Sequence, residues 1–520
     1  MALRLNSDFL IYPLHGLETA MPQNPLILAL DQGTTSSRAI LFDRNLRSVA
    51  AAQQEFPQRY PRPGWVEHDP EVLWASQRDV MQEVLEQAGC RPADVAALAL
   101  ANQRETVVVW QRRTGEPIHN AIVWQCRRTA DFCAKLKRDG AEPVIREKTG
   151  LVLDAYFSAS KIAWILDHVA GARAAARRGD LLCGTIDTWL IWKLSGGAAH
   201  VTDFTNASRT LLFNIHTLRW DEELLALFDI PAAMLPSVVP SSGLAAHVRL
   251  PGCEKREVPV MGIAGDQQAA LFGQGCFNAG DVKNTYGTGC FLLMNIGRRP
   301  VLSQQGLLTT LTAQTRPGAP AYALEGSVFM GGAVMQWLRD EMQILPRASD
   351  AGIIAASVPD TGGVYLVPAF AGLGAPHWDM YARGALVGMT RGTGRSQIIR
   401  AAEEAIAYQC CDLVSAMQAD AGQPITCVRV DGGAASDDFL MQFQADMLNC
   451  RIDRPACRET TASGAAALAV LALGWQTQET LVACPAERSF IPAMDDARRD
   501  QLLAGWRKAI ARAAQWAEKE

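Results

Sequence analysis

The regular pattern of the chain begins at Leu26. Five apolar residues, Leu26–Leu30, run unbroken into Asp31. Gly33, Thr34, Thr35, Ser36 and Arg38 follow before Ala39–Phe42 turns apolar again. An unbroken apolar run of this length predicts a strand buried on both faces, so the segment reads as strand, tight polar turn, strand. Gly33 lets the backbone come close to a ligand. The hydroxyls and successive N–H groups of Thr34, Thr35 and Ser36, with the charge of Arg38, suit a phosphate, and Asp31 suits the cation that accompanies it. No Gly-Lys-Ser/Thr is present, so this is not a Walker loop. Read alone, it is equally an ordinary hairpin with a polar turn. The pattern recurs: Asn284–Gly289 is a second Gly-Thr turn, opening onto apolar Cys290–Met294. Two related hairpins predict two similar domains facing one nucleotide.

Between and after the hairpins, apolar strand patterns alternate with helical ones. Asp69-Pro70 caps a predicted helix over 71–88. Val95–Ala101 predicts a buried strand that ends in Asn102-Gln103-Arg104-Glu105-Thr106 and resumes at Val107–Trp110. Arg104 beside Glu105 is either a surface ion pair or, if buried, a pair suited to a polyol, since Arg donates and Glu accepts. Trp124 is either core or an apolar wall for a carbon skeleton. Tyr156–Lys161 precedes a predicted helix over 162–169, and Thr185–Trp192 reads as a strand leading into a helix. The polar stretch 202–209 suggests no chemistry by its spacing.

Val258–Ile263 predicts another strand, ending in Gly265-Asp266-Gln267-Gln268. Asp266 is either a helix N-cap or a carboxylate exposed into a cleft. Gln274–Gly280 reads as a hinge. Further on, Gly331-Gly332 opens a helix carrying Gln336, Val364–Phe370 predicts a strand, and Ile398–Met417 a long amphipathic helix. Val428–Asp431 runs into Gly432-Gly433, with a helix from about Asp437. That places N–H groups at a helix N-terminus, where a nucleotide can rest. Beyond Pro485 the pattern predicts a charged helical tail.

Length and composition narrow this picture. A chain of 520 residues exceeds one core and predicts two large domains. Hydrophobic content of 49% with 20% charged residues describes a soluble globular protein. A net charge of −5 and a pI near 6.0 argue against nucleic acid as a partner. The 13 Cys are scattered, odd in number and without paired metal spacing, which predicts reduced thiols in the cytoplasm. No apolar run reaches the roughly 18 residues of a membrane span. Residues 1–24 carry no sustained period and read as a flexible extension, or as a leader to a true start at Met21.

Taken together, the chain resembles the FGGY carbohydrate kinases from Leu26 to the C-terminal helix. Asp31–Arg38 is similar to the family's first phosphate motif, Asn284–Gly289 to the second, and Asp431-Gly432-Gly433 to its adenosine motif. Gly265–Gln268 resembles the segment bearing the catalytic base, and Tyr156–Leu166 and Gly384–Gln409 resemble two further family patterns. Asn102–Thr106 with Trp124–Arg128 resemble the branch acting on glycerol rather than on xylulose or gluconate.

The resemblance implies an α/β, actin-like (ribonuclease H-like) ATPase fold with two similar domains around a central nucleotide cleft. Residues 25–273 would bind glycerol and phosphate, and 274–520, with the helical tail, the nucleotide. It implies ATP-dependent phosphorylation of glycerol to sn-glycerol 3-phosphate with Mg²⁺, in a cytoplasmic homodimer or homotetramer. Glycerol contacts would come from Arg104, Glu105, Trp124, Tyr156, Asp266, Gln267 and Phe291, with Asp266 as general base. Nucleotide contacts would come from Thr34, Thr35, Ser36, Arg38, Thr288, Gly332, Gln336, Gly433 and Asp437, and Asp31 and Asp266 would hold the metal. Three departures stand out. Asp437 replaces the usual Asn and loses a side-chain donor. Leu250–Val258 lacks the Gly-rich loop tied to inhibition by fructose 1,6-bisphosphate. Met494–Arg499 differs where a sugar-transport phosphocarrier protein inhibits some relatives.

Overall fold

A computed structural model describes residues 25–253, 256–315, 318–370, 372–457, 459–481 and 485–517. The readings of residues 1–24 and of Glu254 and Lys255 lie outside the described residues.

Two large sheets share one plan. In the first, Leu26–Gln32 pairs antiparallel with Ser36–Phe42, which pairs antiparallel with Ser48–Glu55. On its other side Leu26–Gln32 runs parallel to Val95–Asn102, which runs parallel to Glu257–Gly265. In the second, Val282–Tyr286, Cys290–Gly297 and Tyr322–Val328 repeat the antiparallel trio. Cys427–Asp431 and Arg451–Pro455 repeat the parallel pair. This duplicated order is the expected actin-like arrangement. Each sheet also carries extra edge strands, Ser242–Arg249 on the first, Leu308–Leu311 and Ala486–Phe490 on the second.

Register does the positioning. Gln32 lies opposite Asn102, and Asn102 opposite Gly265. The three parallel strands of the first sheet therefore end level, and Asp31, Arg104 and Asp266 emerge together at the carboxyl edge, where open α/β sheets bind ligands. One face of this sheet packs Leu28, Leu30, Leu98 and Leu100 against Val80, Trp189 and Leu190. The other face is covered by Thr460–Ala472, a helix from late in the chain, whose Ala462, Ala465, Ala466 and Ala469 meet Ile27, Ala29, Ala97 and Ala99. Small residues bring this helix close to Asp266–Gly273: a Cβ added at Gly464 would collide with the carbonyl of Ala269, and one at Gly273 with that of Thr460.

A four-stranded sheet of Glu67–His68, Ala121–Ile122, Val107–Gln111 and Leu181–Thr185 carries its own core, including Val107, Ile122, Leu153 and Phe157. Trp124 and Tyr156 lie at the edge of that core.

Several element readings need correction. The helix after Tyr156 spans Ser158–His168. The strand expected at Thr185 is Leu181–Thr185, so that Ile186–Leu194 is already helical. The strand over 364–370 shrinks to Tyr365–Val367. The long helix Arg395–Ala421 is buried on most sides, its many Ala residues letting neighbours close in around it. The tail begins as a strand, Ala486–Phe490, paired with Arg451–Pro455, before the helix Asp496–Ala513. Charged side chains suit such an edge, which hid the strand inside a charged run. No helix among the described residues is long and apolar enough to cross a membrane.

Candidate active site

At the end of Val95–Asn102 the chain makes a three-residue turn. Thr106 N–H donates to Arg104 O at 2.6 Å, with Glu105 held at φ 56°. That conformation is costly for a residue with a Cβ and collects at functional sites. It leaves both Arg104 and Glu105 buried. The surface ion-pair reading is thereby excluded.

Arg104 is the hub of a charged cluster. Its Nε lies 3.2 Å from Asp266 Oδ1, and its two terminal nitrogens donate to Glu325 at 2.6 and 2.9 Å. Arg209 donates to Glu105 at 2.6 Å and to Glu325 at 2.9 Å. Glu325, gripped by both guanidinium groups, is held down at about 2 despite its burial. For Glu105, burial outweighs the same two arginines and pushes the carboxyl above its ordinary range.

Arg209 and Glu325 were not singled out from the sequence. Glu325 stands alone among the apolar and small residues of Tyr322–Val328, and a carboxylate on a buried strand must be paired. That was the available signal. Arg209 closes the polar stretch that spacing could not interpret.

Asp266 is the first residue of the helix Asp266–Gly273, and Gly265 occupies the cap position. The N-cap alternative is therefore set aside. The Asp266 carboxylate meets Gln267 N–H at 2.7 Å and Arg104, yet its side chain stays 31% exposed while Arg104 is 2% exposed. Gln267 in turn accepts from the fully buried Lys283, which also donates to Thr285 at 2.8 Å.

Beside this cluster stand three rings. Trp124 meets Tyr156 edge-on at 5.6 Å and Phe291 at 6.3 Å, and the Arg209 guanidinium lies 5.7 Å from the Tyr156 ring. Desolvation pushes the Tyr156 phenol above its ordinary range, which keeps it a neutral hydrogen-bonding group. Lys161 anchors this segment by donating to the carbonyls of Tyr156 and Phe157. An apolar wall facing paired donors and acceptors suits a small polyol, whose C–H and O–H groups need both.

At the first Gly-Thr turn, Gly33 N–H donates to Ser36 O at 3.0 Å. Thr34 Oγ1 accepts from Trp124 Nε1 at 2.9 Å, Ser36 Oγ from Gln53 at 3.0 Å, and Thr35 is exposed. Arg38 pairs with Glu459 and also donates to Gln53. The second turn docks on the start of the helix Ala333–Asp340. Gly331 N–H donates to Thr288 O at 2.8 Å, and Gly332 N–H to Gly287 O at 2.9 Å. Thr288 and Gln336 are exposed, one on that turn and the other on the helix. Gly432, at φ 87°, fits against the Tyr286 carbonyl where a Cβ would clash, and Gly433 follows, exposed. Asp437 caps the helix Asp438–Leu448, accepting from Phe439 N–H at 2.9 Å and Leu440 N–H at 3.1 Å. Its carboxylate is thus engaged by its own helix.

The residues also fit a divalent cation. Burial raises the Asp31 carboxyl to about 7; Arg38 opposes the shift, while Asp266 and Glu459 add to it. Arg38 is itself taken up by Glu459. A carboxylate raised chiefly by burial, with Asp266 and Glu459 near it, is one that a bound cation would stabilise in its ionised form. Among the described residues no group of three or more His, Cys, Asp or Glu is placed to hold a metal alone, so the remaining ligands would come from phosphate and water.

Residues 26–273 match the N-terminal domain of the FGGY family of carbohydrate kinases, and 282–473 its C-terminal domain. A glycerol kinase of Carboxydothermus hydrogenoformans is 56% identical over 496 residues, 95% of this chain and 99% of that one. One from Brachyspira hyodysenteriae is 57% identical over 493 residues, covering 94% and 99%. The crystal structure of Plasmodium falciparum glycerol kinase with ADP superposes with a TM-score of 0.89 at 35% identity, covering 94% and 98%. Likeness in sequence runs through both halves of the duplicated fold, and the chain belongs to the FGGY family of carbohydrate kinases.

Proposed function

We propose that this chain transfers the terminal phosphoryl group of ATP to a terminal hydroxyl of glycerol, giving ADP and sn-glycerol 3-phosphate. The observation that carries the reading is the partly exposed Asp266 carboxylate, held by Arg104 beside the three-ring wall and at the same edge as the first phosphate turn. The high identity to proteins named glycerol kinases supports the choice of polyol.

In this mechanism Arg104 donates to, and Glu105 accepts from, neighbouring hydroxyls of the substrate. Trp124, Tyr156 and Phe291 cover its C–H face, and Gln267 adds a polar contact. Asp266 accepts the proton of the attacking hydroxyl as the new O–P bond forms and the bond to ADP breaks. The backbone N–H groups of the two turns, with Thr34, Thr35, Ser36, Arg38 and Thr288, hold the phosphates in line. Gly332, Gln336, Gly433 and Asp437 border the rest of the nucleotide. Asp31 and Asp266 would hold Mg²⁺, which would supply neutralisation of phosphate charge. Closure of the two halves excludes water as a competing acceptor.

We divide the labour as 25–273 for glycerol and phosphate and 274–520 for the nucleotide, in a cytoplasmic homodimer or homotetramer. Glycerol-dependent ADP release, measured across a panel of small polyols with MgATP, tests the reading. Glycerol should give the highest kcat/KM. ADP release indifferent to polyol would point instead to a nucleotide-driven actin-like protein, and a faster alternative polyol would change the substrate.

A further inference from the structure

The mechanism leaves unused a set of buried and part-buried polar groups behind the first phosphate turn. Gln103 donates through Nε2 to Gly33 O at 2.9 Å, and its own N–H donates to Gln32 O at 2.7 Å. Gln58 donates to Thr34 O at 3.0 Å. His68, fully buried, joins the two: its Nε2 lies 2.5 Å from Gln58 Oε1 and its Nδ1 3.4 Å from Gln103 Nε2. An acceptor at Nε2 and a donor at Nδ1 fix the neutral Nε2–H tautomer. Burial lowers the ring to about 4, which agrees.

The same glutamine reaches the polyol wall. Thr106, also fully buried, donates to Gln103 Oε1 at 3.0 Å and accepts from Trp124 N–H at 3.1 Å. Trp124 closes the loop by donating from its indole to Thr34 Oγ1 at 2.9 Å. A closed ring of hydrogen bonds thus runs from Gly33 through Gln103, Thr106 and Trp124 to Thr34.

The ring has a geometric consequence. In a planar trans peptide the C=O and N–H point in opposite directions. The carbonyls of Gly33 and Thr34 are turned inward onto Gln103 and Gln58, so the N–H groups of Thr34 and Thr35 face the opposite way. Among the described residues neither N–H donates to a protein acceptor. A carbonyl facing a phosphate repels it; an N–H holds it.

We propose that Thr106, Gln103, His68 and Gln58 are positioning residues that tie the glycerol-side wall to the first phosphate turn, setting the phosphoryl donor against the acceptor. The inference rests on the proposed glycerol phosphorylation. It assigns Trp124 a second task, as a donor that fixes the turn as well as a wall.

Thr106→Val keeps the side-chain volume and removes the hydroxyl. A misplacement of about 1 Å can cost about 10²-fold in rate. The expected result is a kcat fall of about tenfold or more and an ATP KM raised about 3- to 10-fold, the size of a lost hydrogen bond. Glycerol affinity without nucleotide should stay within about threefold, and Thr106→Ser should restore the kinetics. Trp124→Phe should raise the ATP KM as well as the glycerol KM, whereas a pure wall moves glycerol alone.

The proposal is overturned if folded Thr106→Val keeps both kcat and ATP KM within about twofold of the parent, whatever its thermal midpoint does. If Thr106→Val does not fold, the ATP KM of Trp124→Phe decides. If the parent itself shows no glycerol-dependent turnover, the functional reading fails. Calorimetric ATP affinity then decides the tie, which requires weaker binding in Thr106→Val.

Discussion

Asp266 and Arg104 make the sharpest demands on single side chains. Asp266→Asn preserves size and one acceptor oxygen but cannot take a proton. As general base it is worth about 10²–10⁴ in rate, with the low end favoured by a loose transition state in which the proton leaves late. Turnover should fall by at least about 10²-fold with the thermal midpoint nearly unchanged; a kcat within about tenfold of the parent would remove Asp266 from that role. Arg104→Ala removes the partner of Asp266 and half the grip on Glu325. The glycerol KM should rise by more than tenfold and stability fall by about 3–5 kcal/mol, the cost of breaking a buried charge network by one partner. Denaturant midpoints and KM measured on the same preparation check both, and an ATP KM that rises in parallel would place Arg104 elsewhere in the mechanism.

At the scale of elements, the two Gly-Thr hairpins were legible because each is a local run: apolar strand, small hydroxylated turn, apolar strand. Asp31, Thr34, Gly287 and Thr288 fall at those turns. Arg209 and Glu325 were not legible, because what makes them matter is pairing across 116 residues of chain, between a turn after Phe204–Ala207 and the strand Tyr322–Val328, rather than with sequence neighbours. Asp437 lies between these cases. Its position before a helix was legible, but its task as a cap depends on side-chain geometry. It also faces the buried Glu403, whose Oε2 has no hydrogen-bond partner among the described residues and whose carboxyl is pushed far up by burial and then by Asp437. Asn caps as well as Asp and carries no charge. Asp437→Asn should therefore leave the thermal midpoint unchanged or raise it, whereas Asp437→Ala should cost about 1 kcal/mol. A clear loss in the Asn variant would mean that the charge itself is needed at that helix start.

At the scale of the whole molecule, Glu325 joins the two halves. It sits on Tyr322–Val328 of the second sheet and holds Arg104 from the edge of the first, while Arg209 reaches it from beside the aromatic wall. The duplicated sheet order was legible from repeated hairpins; this cross-link was not, since the charged partners of Glu325, Arg104 and Arg209, both lie in the other half of the chain. Glu325→Gln leaves two buried guanidinium groups facing a neutral amide, and should destabilise the protein at pH 7 by about 3–5 kcal/mol. The acid limb gives an independent check. The folded-state pKa of Glu325, about 2, lies below the ordinary 4.5, so between these values the unfolded chain binds the proton more tightly. The parent's stabilisation from this group is fully present above about pH 4.5 and is lost as pH falls through about 2. Glutamine does not titrate, and carboxyls remote from this cluster cancel in the difference, whereas Glu105, which shares both arginines with Glu325, adds its own smaller change. The gap in thermal midpoint between parent and Glu325→Gln should therefore narrow from pH 7 to pH 3. A gap of constant width would show that Glu325 acts through shape alone, and that charge is not what binds the second sheet to the edge where the chemistry is proposed.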